Sequence, residues 1–239
     1  MCGRFVSARK RLELLEEFGI ERDRVADGPD PEPDPDYNVA PTRRIYAVME
    51  RRPRDGEAEQ PPARELRLMR WGLVPSWAKD TKVGYSTFNA RADGVDTRPA
   101  FRAAWKAGRR CLVVADAYYE WRAADKQPFA VALGNRGPMI FAGLWDLWRA
   151  PDGNPLKSFT IITTQANDLL NPLHDRMPVL LAPDSWAPWL GETAITDHEL
   201  KAMLKPYPSE NLTFWPVDRR VGNVRNDSPD LFAPLRAPV

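Results

Sequence analysis

The residue with the most unusual chemistry stands at the start of the chain, in Met1-Cys2-Gly3-Arg4-Phe5. An initiator Met is normally trimmed ahead of a small second residue, so the mature chain is expected to begin at Cys2. An N-terminal cysteine carries an α-amine and a thiol on adjacent carbons. Their ordinary pKa values of about 7.7–8.0 and about 8.5 leave both partly deprotonated near neutrality. The amine can add to an aldehyde and lose water to give a Schiff base, and the thiolate can then close onto the imine carbon as a five-membered thiazolidine. Position alone equally fits a small residue in an ordinary frayed terminus. Gly3 permits close backbone approach and Arg4 offers a phosphate-matching fork, but neither is diagnostic.

Four further polar residues fall at strand ends or tight turns: Asn38, Asn89, Glu120 and His174. Glu120 lies in Tyr118-Tyr119-Glu120-Trp121, where aromatic flanks disfavour the charged form and would suit a general acid or base; an outward-facing strand glutamate is the plainer alternative. His174, beside Asp175, Arg176 and Met177-Pro178, reads as a loop histidine, either fixed or solvent-exposed. His198 sits in a helix-capping sequence and receives no role. No G-x-S-x-G, Walker loop or H-E-x-x-H occurs, which leaves the common hydrolase, NTPase and zincin readings without support. A Cys–His protease dyad fits poorly with a cysteine at the chain start.

Composition narrows the setting. With 43% hydrophobic and 28% charged residues over 239 positions, the chain reads as a soluble globular protein of one domain, 1–239. No run approaches the roughly 18 apolar residues of a membrane span, and no signal-like stretch follows the start, so no membrane and a cytoplasmic location are expected. Cys2 and Cys111 are expected as free thiols, Cys111 in the apolar run Cys111-Leu112-Val113-Val114. Two His and no Cys-x-x-Cys argue against a structural zinc site; no metal and no cofactor are expected.

The net charge of +1 hides an asymmetry. Residues 11–36 carry three Lys/Arg against ten Asp/Glu, whereas residues 64–122 carry twelve against six. The basic stretch also holds Trp71, Trp77, Tyr85, Phe88, Phe101 and Trp105. Cations interleaved with aromatics fit single-stranded nucleic acid, where bases stack and phosphates pair; a solvated surface over an aromatic core fits the same composition.

The elements that must position these residues can be read in outline. Ser7 is expected to cap a helix through Phe18, with Leu12, Leu14, Leu15 and Phe18 inward and Gly19 ending it. Residues 28–36 alternate Pro with Asp and Glu and read as an acidic extended loop. Strands are expected at Arg44–Met49, Glu65–Arg70, Arg110–Val114, Tyr118–Trp121, Pro128–Leu133, Met139–Leu144, Ser158–Thr164, Val179–Leu181 and Leu212–Val217, with 51–63 a polar loop. A short helix is expected at Ala100–Ala107 and another, opened by the capping box Thr196-Asp197-His198-Glu199, through Leu204. Many short strands and 24 prolines suggest an α+β domain on a mostly antiparallel, barrel-like sheet with a few peripheral helices.

Seven blocks in order then carry a resemblance. They are Met1–Phe5, Tyr37-Asn38-Val39-Ala40-Pro41-Thr42, Arg70-Trp71-Gly72-Leu73-Val74-Pro75-Ser76-Trp77-Ala78, Asn89-Ala90-Arg91-Ala92, Tyr118–Trp121, Phe141-Ala142-Gly143-Leu144-Trp145 and His174-Asp175-Arg176-Met177-Pro178. Together they resemble the SRAP family, the SOS-response-associated peptidases, over residues 1 to about 182. The resemblance implies a mixed barrel-like fold with a basic cleft. It also implies shielding of abasic sites in single-stranded DNA, through a thiazolidine crosslink between Cys2 and the opened sugar.

Under it, Cys2, Asn89, Glu120 and His174 form the catalytic set: Asn89 holds the Cys2 backbone or the sugar, Glu120 shuttles protons, and His174 assists at the sugar oxygen. Arg4, Asn38, Pro41, Trp71, Arg91 and Arg176 form the DNA-contacting set, with the arginines on phosphates and Trp71 and Pro41 wedged at the gap. A monomer is expected. Val114 and Ala117 stand where the family leads one to expect Pro and Gly, which would matter if position 117 needed a positive φ. Two other functions fit parts of the pattern: a peptidase or N-terminal-nucleophile amidohydrolase, and a noncatalytic binder of single-stranded DNA.

Overall fold

The computed structural model describes residues 2–20, 22–26, 31–51 and 63–235. The expected trimming of Met1, residues 28–30 of the acidic run, most of the 51–63 loop and the end of the Pro-containing tail lie outside the described residues.

Among the described residues, thirteen strands carry the fold. They are β1 (Arg4–Ser7), β2 (Arg22–Asp23), β3 (Asp36–Val39), β4 (Arg44–Arg51), β5 (Ala63–Trp71), β6 (Asn89–Arg91), β7 (Arg110–Ala115), β8 (Ala117–Trp121), β9 (Pro128–Leu133), β10 (Met139–Arg149), β11 (Pro155–Gln165), β12 (Arg176–Pro178) and β13 (Leu212–Pro216). Four short helices join them: α1 (Arg11–Glu17), α2 (Arg102–Lys106), α3 (Trp186–Leu190) and α4 (Asp197–Ala202).

Strands β5, β4, β7, β10 and β11 pair in that order, and β11 returns to β5 through a parallel contact at Ser158↔Arg70 and Phe159↔Trp71, closing a barrel. Closure removes the open edge that such a sheet would otherwise present. A second, antiparallel sheet runs β13-β9-β8-β1-β3.

The two sheets are joined at Asp116, the residue between β7 and β8. Its N–H donates to the Val6 carbonyl at 2.8 Å, its Oδ2 accepts from the Ala8 N–H at 2.8 Å, and Arg9 pairs with its Oδ1 at 3.0 Å. Alternation along β7 explains its continuous apolar run. Cys111, Val113 and Ala115 face a core shared with Phe5, Phe141 and Phe159, while Leu112 and Val114 face a core that includes Leu14, Phe18, Trp189 and Leu200 from around the helices. Every β7 residue is buried.

Several expectations are corrected. Ser7 caps no helix: it ends β1, opposite Asp36, because Arg4–Val6 pair with β8 and β1 is claimed by the sheet. The helix starts at Arg11 with Lys10 as its cap, and Leu12 is 68% exposed, although Leu14 and Phe18 are buried and Gly19 takes a φ of +57°. The strand expected at Val179–Leu181 lies at Arg176–Pro178, with Leu180 keeping one bridge to Phe141. Ala117 starts β8, is fully buried and is not a positive-φ residue, so that position makes no demand for glycine. The capping box at Thr196 and Glu199 is present as read. Cys2 and Cys111 are both free and buried, and no described helix is long and apolar enough to cross a membrane.

Between β5 and β6 the chain makes an excursion, 72–88, that is pinned at its base. Gly72 takes a φ of +107°, its N–H donates to the Phe159 carbonyl at 2.8 Å, and its Cα backs onto Gly84. Val74 N–H donates to Ser158 Oγ at 2.7 Å, and Thr87 Oγ1 donates to the Leu73 carbonyl at 2.5 Å. A methyl at Gly72 would meet the Gly84 carbonyl oxygen at 2.5 Å in a backbone region closed to most side chains. Gly72→Ala is therefore expected to cost about 2–4 kcal/mol, read as a lowered urea midpoint with an unchanged m-value.

Candidate functional site

Strand β1 seats the chain start. It lies between β3 and β8 with Phe5 opposite both Val39 and Tyr118, and Arg4 opposite Tyr119. The ladder carries Cys2 into the core, where it is fully buried with Phe5, Trp71 and Tyr118. Asn89, at the head of β6, holds it from the other side: its Nδ2 donates to the Cys2 carbonyl at 2.7 Å. β6 is itself fixed by a parallel ladder to β11, Asn89 opposite Ile161. The Asn89 Oδ1 is buried with no partner among the described residues, so an acceptor beside the Cys2 tether is unused.

Glu120, on β8, is 5% exposed, and its Oε1 accepts from the Trp121 N–H at 3.3 Å. Its charge reaches Cys2. Burial pushes the Cys2 thiol well above the usual range, and the Glu120 carboxylate adds to that displacement. A buried thiol within reach of a carboxylate's charge keeps its proton near neutrality.

His174 lies in the turn before β12 and is half-buried. Its Nδ1 lies 3.0 Å from the Arg176 backbone N–H and 2.7 Å from Asp175 Oδ1. One neutral imidazole nitrogen cannot accept from the first and donate to the second. Arg176 N–H belongs to β12, held opposite Gln165, whereas the Asp175 side chain is 80% exposed. The ladder-fixed donor decides the neutral form: Nδ1 accepts and Nε2 carries the proton. On protonation the new Nδ1–H has Asp175 to receive it. A hydrogen bond joins Asn89 to Cys2, and the Glu120 charge acts on the Cys2 thiol.

The DNA-contacting set divides. Arg91 is exposed and holds Asp93 bidentately at 3.0 and 2.8 Å. Arg176 is buried and bound to Thr163, with Nη2 donating to its carbonyl at 2.5 Å and to its Oγ1 at 3.0 Å. Both arginines line one cleft of about 450 Å³ with Gln165 and Lys201, and each repels the other's charge enough to contribute to lowering Arg176 after burial.

Arg4 is committed to its own chain, donating to Asn38 Oδ1 and the Val221 carbonyl, each at 2.9 Å. Asn38 is likewise inward: 2% exposed, its Nδ2 reaches the carbonyls of Val221, Asn223 and Asn226 at 3.2, 3.0 and 2.8 Å. Arg4 and Asn38 thus strap the 221–226 segment across β1 and β3. Pro41 is half-buried in the Ala40–Arg43 turn.

Trp71, expected as a wedge, is fully buried. Its Nε1 donates to the Phe88 carbonyl at 2.8 Å and its ring packs 4.9 Å from Phe5 and 5.7 Å from Phe88, so it has no free face for a base. The exposed aromatics of the basic stretch are Trp77 (60%) and Tyr85 (66%), both on the pinned 72–88 excursion. The sequence counted both only among the six aromatics of the basic stretch and did not separate them from Trp71. Among the described residues, no cluster of three His, Cys, Asp or Glu could hold a metal ion.

The sequence profile of the family described as SOS response associated peptidase (SRAP) matches residues 1–224. The chain belongs to the SRAP family. The match extends past residue 182 and takes in residues 221–224 of the strap that Arg4 and Asn38 hold. Among SRAP relatives, the chain is 37% identical over 235 residues to the abasic site processing protein YoqW of Bacillus subtilis (strain 168), covering 97% of this chain and 99% of that one. It is 32% identical over 230 residues to the abasic site processing protein HMCES of Gallus gallus, covering 86% and 68%. A crystal structure of a Bordetella bronchiseptica protein superposes with a TM-score of 0.72 at 26% identity, over 91% of this chain and 100% of that one. One from Bacteroides thetaiotaomicron shares the fold with a TM-score of 0.82 at 24% identity, over 98% and 100%.

The strap yields a test. Asn38→Ala removes the donor shared by three carbonyls, leaving Val221 with Arg4 but taking that donor from Asn223 and Asn226, an expected loss of about 1–3 kcal/mol. Trypsin should then cut after Arg220 or Arg225 markedly faster than in the parent chain, and cutting at the parental rate would contradict the strap.

Proposed function

We propose that this SRAP protein acts on abasic sites in single-stranded DNA and traps them covalently through Cys2 once Met1 has been removed. The observation that carries the reading is the Asn89 bond to the Cys2 carbonyl, which fixes a chain-terminal cysteine in a buried site beside a carboxylate. A structural cysteine needs neither a polar tether nor a buried acid. The names of the relatives YoqW and HMCES, both abasic site processing proteins, supply the substrate class.

The chemistry follows from the groups present. Hydrolysis of the Met1–Cys2 amide consumes one water and frees the Cys2 amine. That amine adds to the C1′ aldehyde of the ring-opened sugar, and loss of one water gives the imine. Glu120 takes the thiol proton, the thiolate adds to the imine carbon, and the ring nitrogen gains a proton, closing the thiazolidine. Asn89 Oδ1 is placed to accept from the Cys2 amine or a sugar hydroxyl. His174, with its proton on Nε2, is the donor available to the departing ring oxygen if closure over the DNA brings it near.

Around the lesion, Arg91 exchanges Asp93 for phosphate, a replacement that costs little because that pair is exposed, and Arg176 adds positive potential from beneath. Trp77 and Tyr85 offer open faces for unpaired bases. Single strands suit this surface because stacking requires bases free of a partner strand.

The deciding experiment is denaturing electrophoresis of the mature protein with a single-stranded oligonucleotide carrying one abasic site. A slow, heat-stable band is expected, absent with Cys2→Ala and reduced roughly 10²–10⁴-fold in rate with Glu120→Gln, the range of general acid–base catalysis. A Met1-free protein that gives no band, or that cleaves a peptide instead, overturns the reading. Noncovalent binding by Cys2→Ala should persist and weaken linearly in log–log form as salt rises.

A further inference from the structure

Arg70, near the end of β5, is a half-buried cation that the chemistry above leaves unused. Its Nε is buried without a partner, and the guanidinium makes no hydrogen bond or ion pair among the described residues. Drawing a charge partly out of water with no counter-charge is costly, and native chains rarely leave one so. Its neighbours fix its direction. Met69 and Trp71 enter the core around Phe5 and Phe141, so alternation turns Arg70 to the outer face of the barrel wall. Directly opposite on β4 stands Arg44, the next pair on that face after Tyr46 and Leu68. Like charges set opposite each other in an antiparallel ladder destabilise it.

A second irregularity marks the same corner. Thr42, two residues before Arg44, takes a φ of +83°. Its N–H donates to the Trp71 carbonyl at 2.8 Å, and the Arg43 N–H closes the turn onto the Ala40 carbonyl at 3.2 Å. A β-branched residue is strained there, and strain of this kind gathers at ligand sites.

The surrounding groups do not neutralise Arg70. Asp34, Asp36 and Asp227 stand with Arg9, Arg43 and Arg44 around a cleft of about 420 Å³ that Arg70 does not line. Ser158, its neighbour on β11, is uncharged and its Oγ is taken by the Val74 N–H. On the remaining side lies the 72–88 excursion: a methyl on Gly84 would stand 3.7 Å from Arg70 Nη2. The next residue along is Tyr85, with its exposed ring.

We propose that Arg70 and Arg44 form a phosphate subsite for single-stranded DNA, holding the backbone phosphate beside a base stacked on Tyr85. Two phosphate oxygens accept from an arginine fork in parallel bonds, supply the missing counter-charge and offset the repulsion between the two arginines. Stacking on Tyr85 requires an unpaired base, which selects a single strand. The inference extends the single-strand reading of the proposed function and rests on it.

The test is binding of Cys2→Ala protein to intact oligothymidylate, followed by fluorescence anisotropy across a potassium chloride series. One phosphate contact on a single strand contributes about 0.7 to the slope of log K against log salt. Arg70→Gln should make the slope shallower by about that amount, and Arg70→Lys, which keeps the charge, should retain it. The urea midpoint of Arg70→Gln should stay level or rise, because the variant relieves a like-charge pair. An unchanged slope overturns the subsite, and a lowered midpoint beside it marks Arg70 as a structural residue of this corner. Arg44→Gln, at an exposed position, reads the same slope should Arg70→Gln fold poorly. Failure of the parent protein to bind the strand at all would sink single-strand recognition itself, whereas binding with an unmoved slope sinks only the subsite.

Discussion

A chain terminus is ordinarily a solvated, frayed thing, and here it is buried. Strand β1 inserts between β3 and β8, and the ladder it makes carries Cys2 to full burial beside Glu120 and Tyr118. Much of the second sheet depends on that insertion: without β1, β3 loses its partner and β8 becomes an edge. The barrel depends on it through Asp116, which binds the backbone of Val6 and Ala8 at the corner where β7 becomes β8. The Arg4–Asn38 strap then secures the insertion from outside with the 221–226 segment.

Burial sets the electrostatics. A thiol and a carboxylate in one apolar pocket cannot both be charged at modest cost, because each ion loses its water and the two repel. Burial and the Glu120 charge both push the Cys2 thiol up, so the resting thiol keeps its proton. In the proposed reaction that proton has to leave before sulfur can add to an imine carbon.

Much of this was legible in the sequence, and the failures have physical causes. Period-two alternation and capping marked the middle strands and α4 because those elements bury one or both faces and obey local rules. The Ser7 helix start was misread because Ser-x-x-x before an amphipathic run is a local signal, while the pairing of Arg4–Val6 with residues more than a hundred positions away is not. Site residues divided on the same line. Asn89, Glu120 and Cys2 meet because β6, β8 and β1 are brought together by the fold, and motif order could only imply it. Trp71 and Trp77 look alike in Trp-Gly-Leu-Val-Pro-Ser-Trp. One ends a barrel strand and faces the core, the other rides a loop pinned by Gly72 and Gly84, and nothing local distinguishes them.

The pinned loop also connects the exposed aromatic surface to the rigid core. Its C-terminal foot runs through Phe88 into Asn89, so the segment that presents Trp77 and Tyr85 is the same one that tethers Cys2. Trp71 ties the two together from below, with its Nε1 on the Phe88 carbonyl and its ring on Phe5 of β1. A group stacked on Trp77 or Tyr85 would therefore bear on a segment whose other end holds Cys2, with the Trp71–Phe88, Trp71–Phe5 and Asn89–Cys2 contacts between them. Under the proposed function, binding beside a lesion and fixing the place of Cys2 then fall to one continuous element.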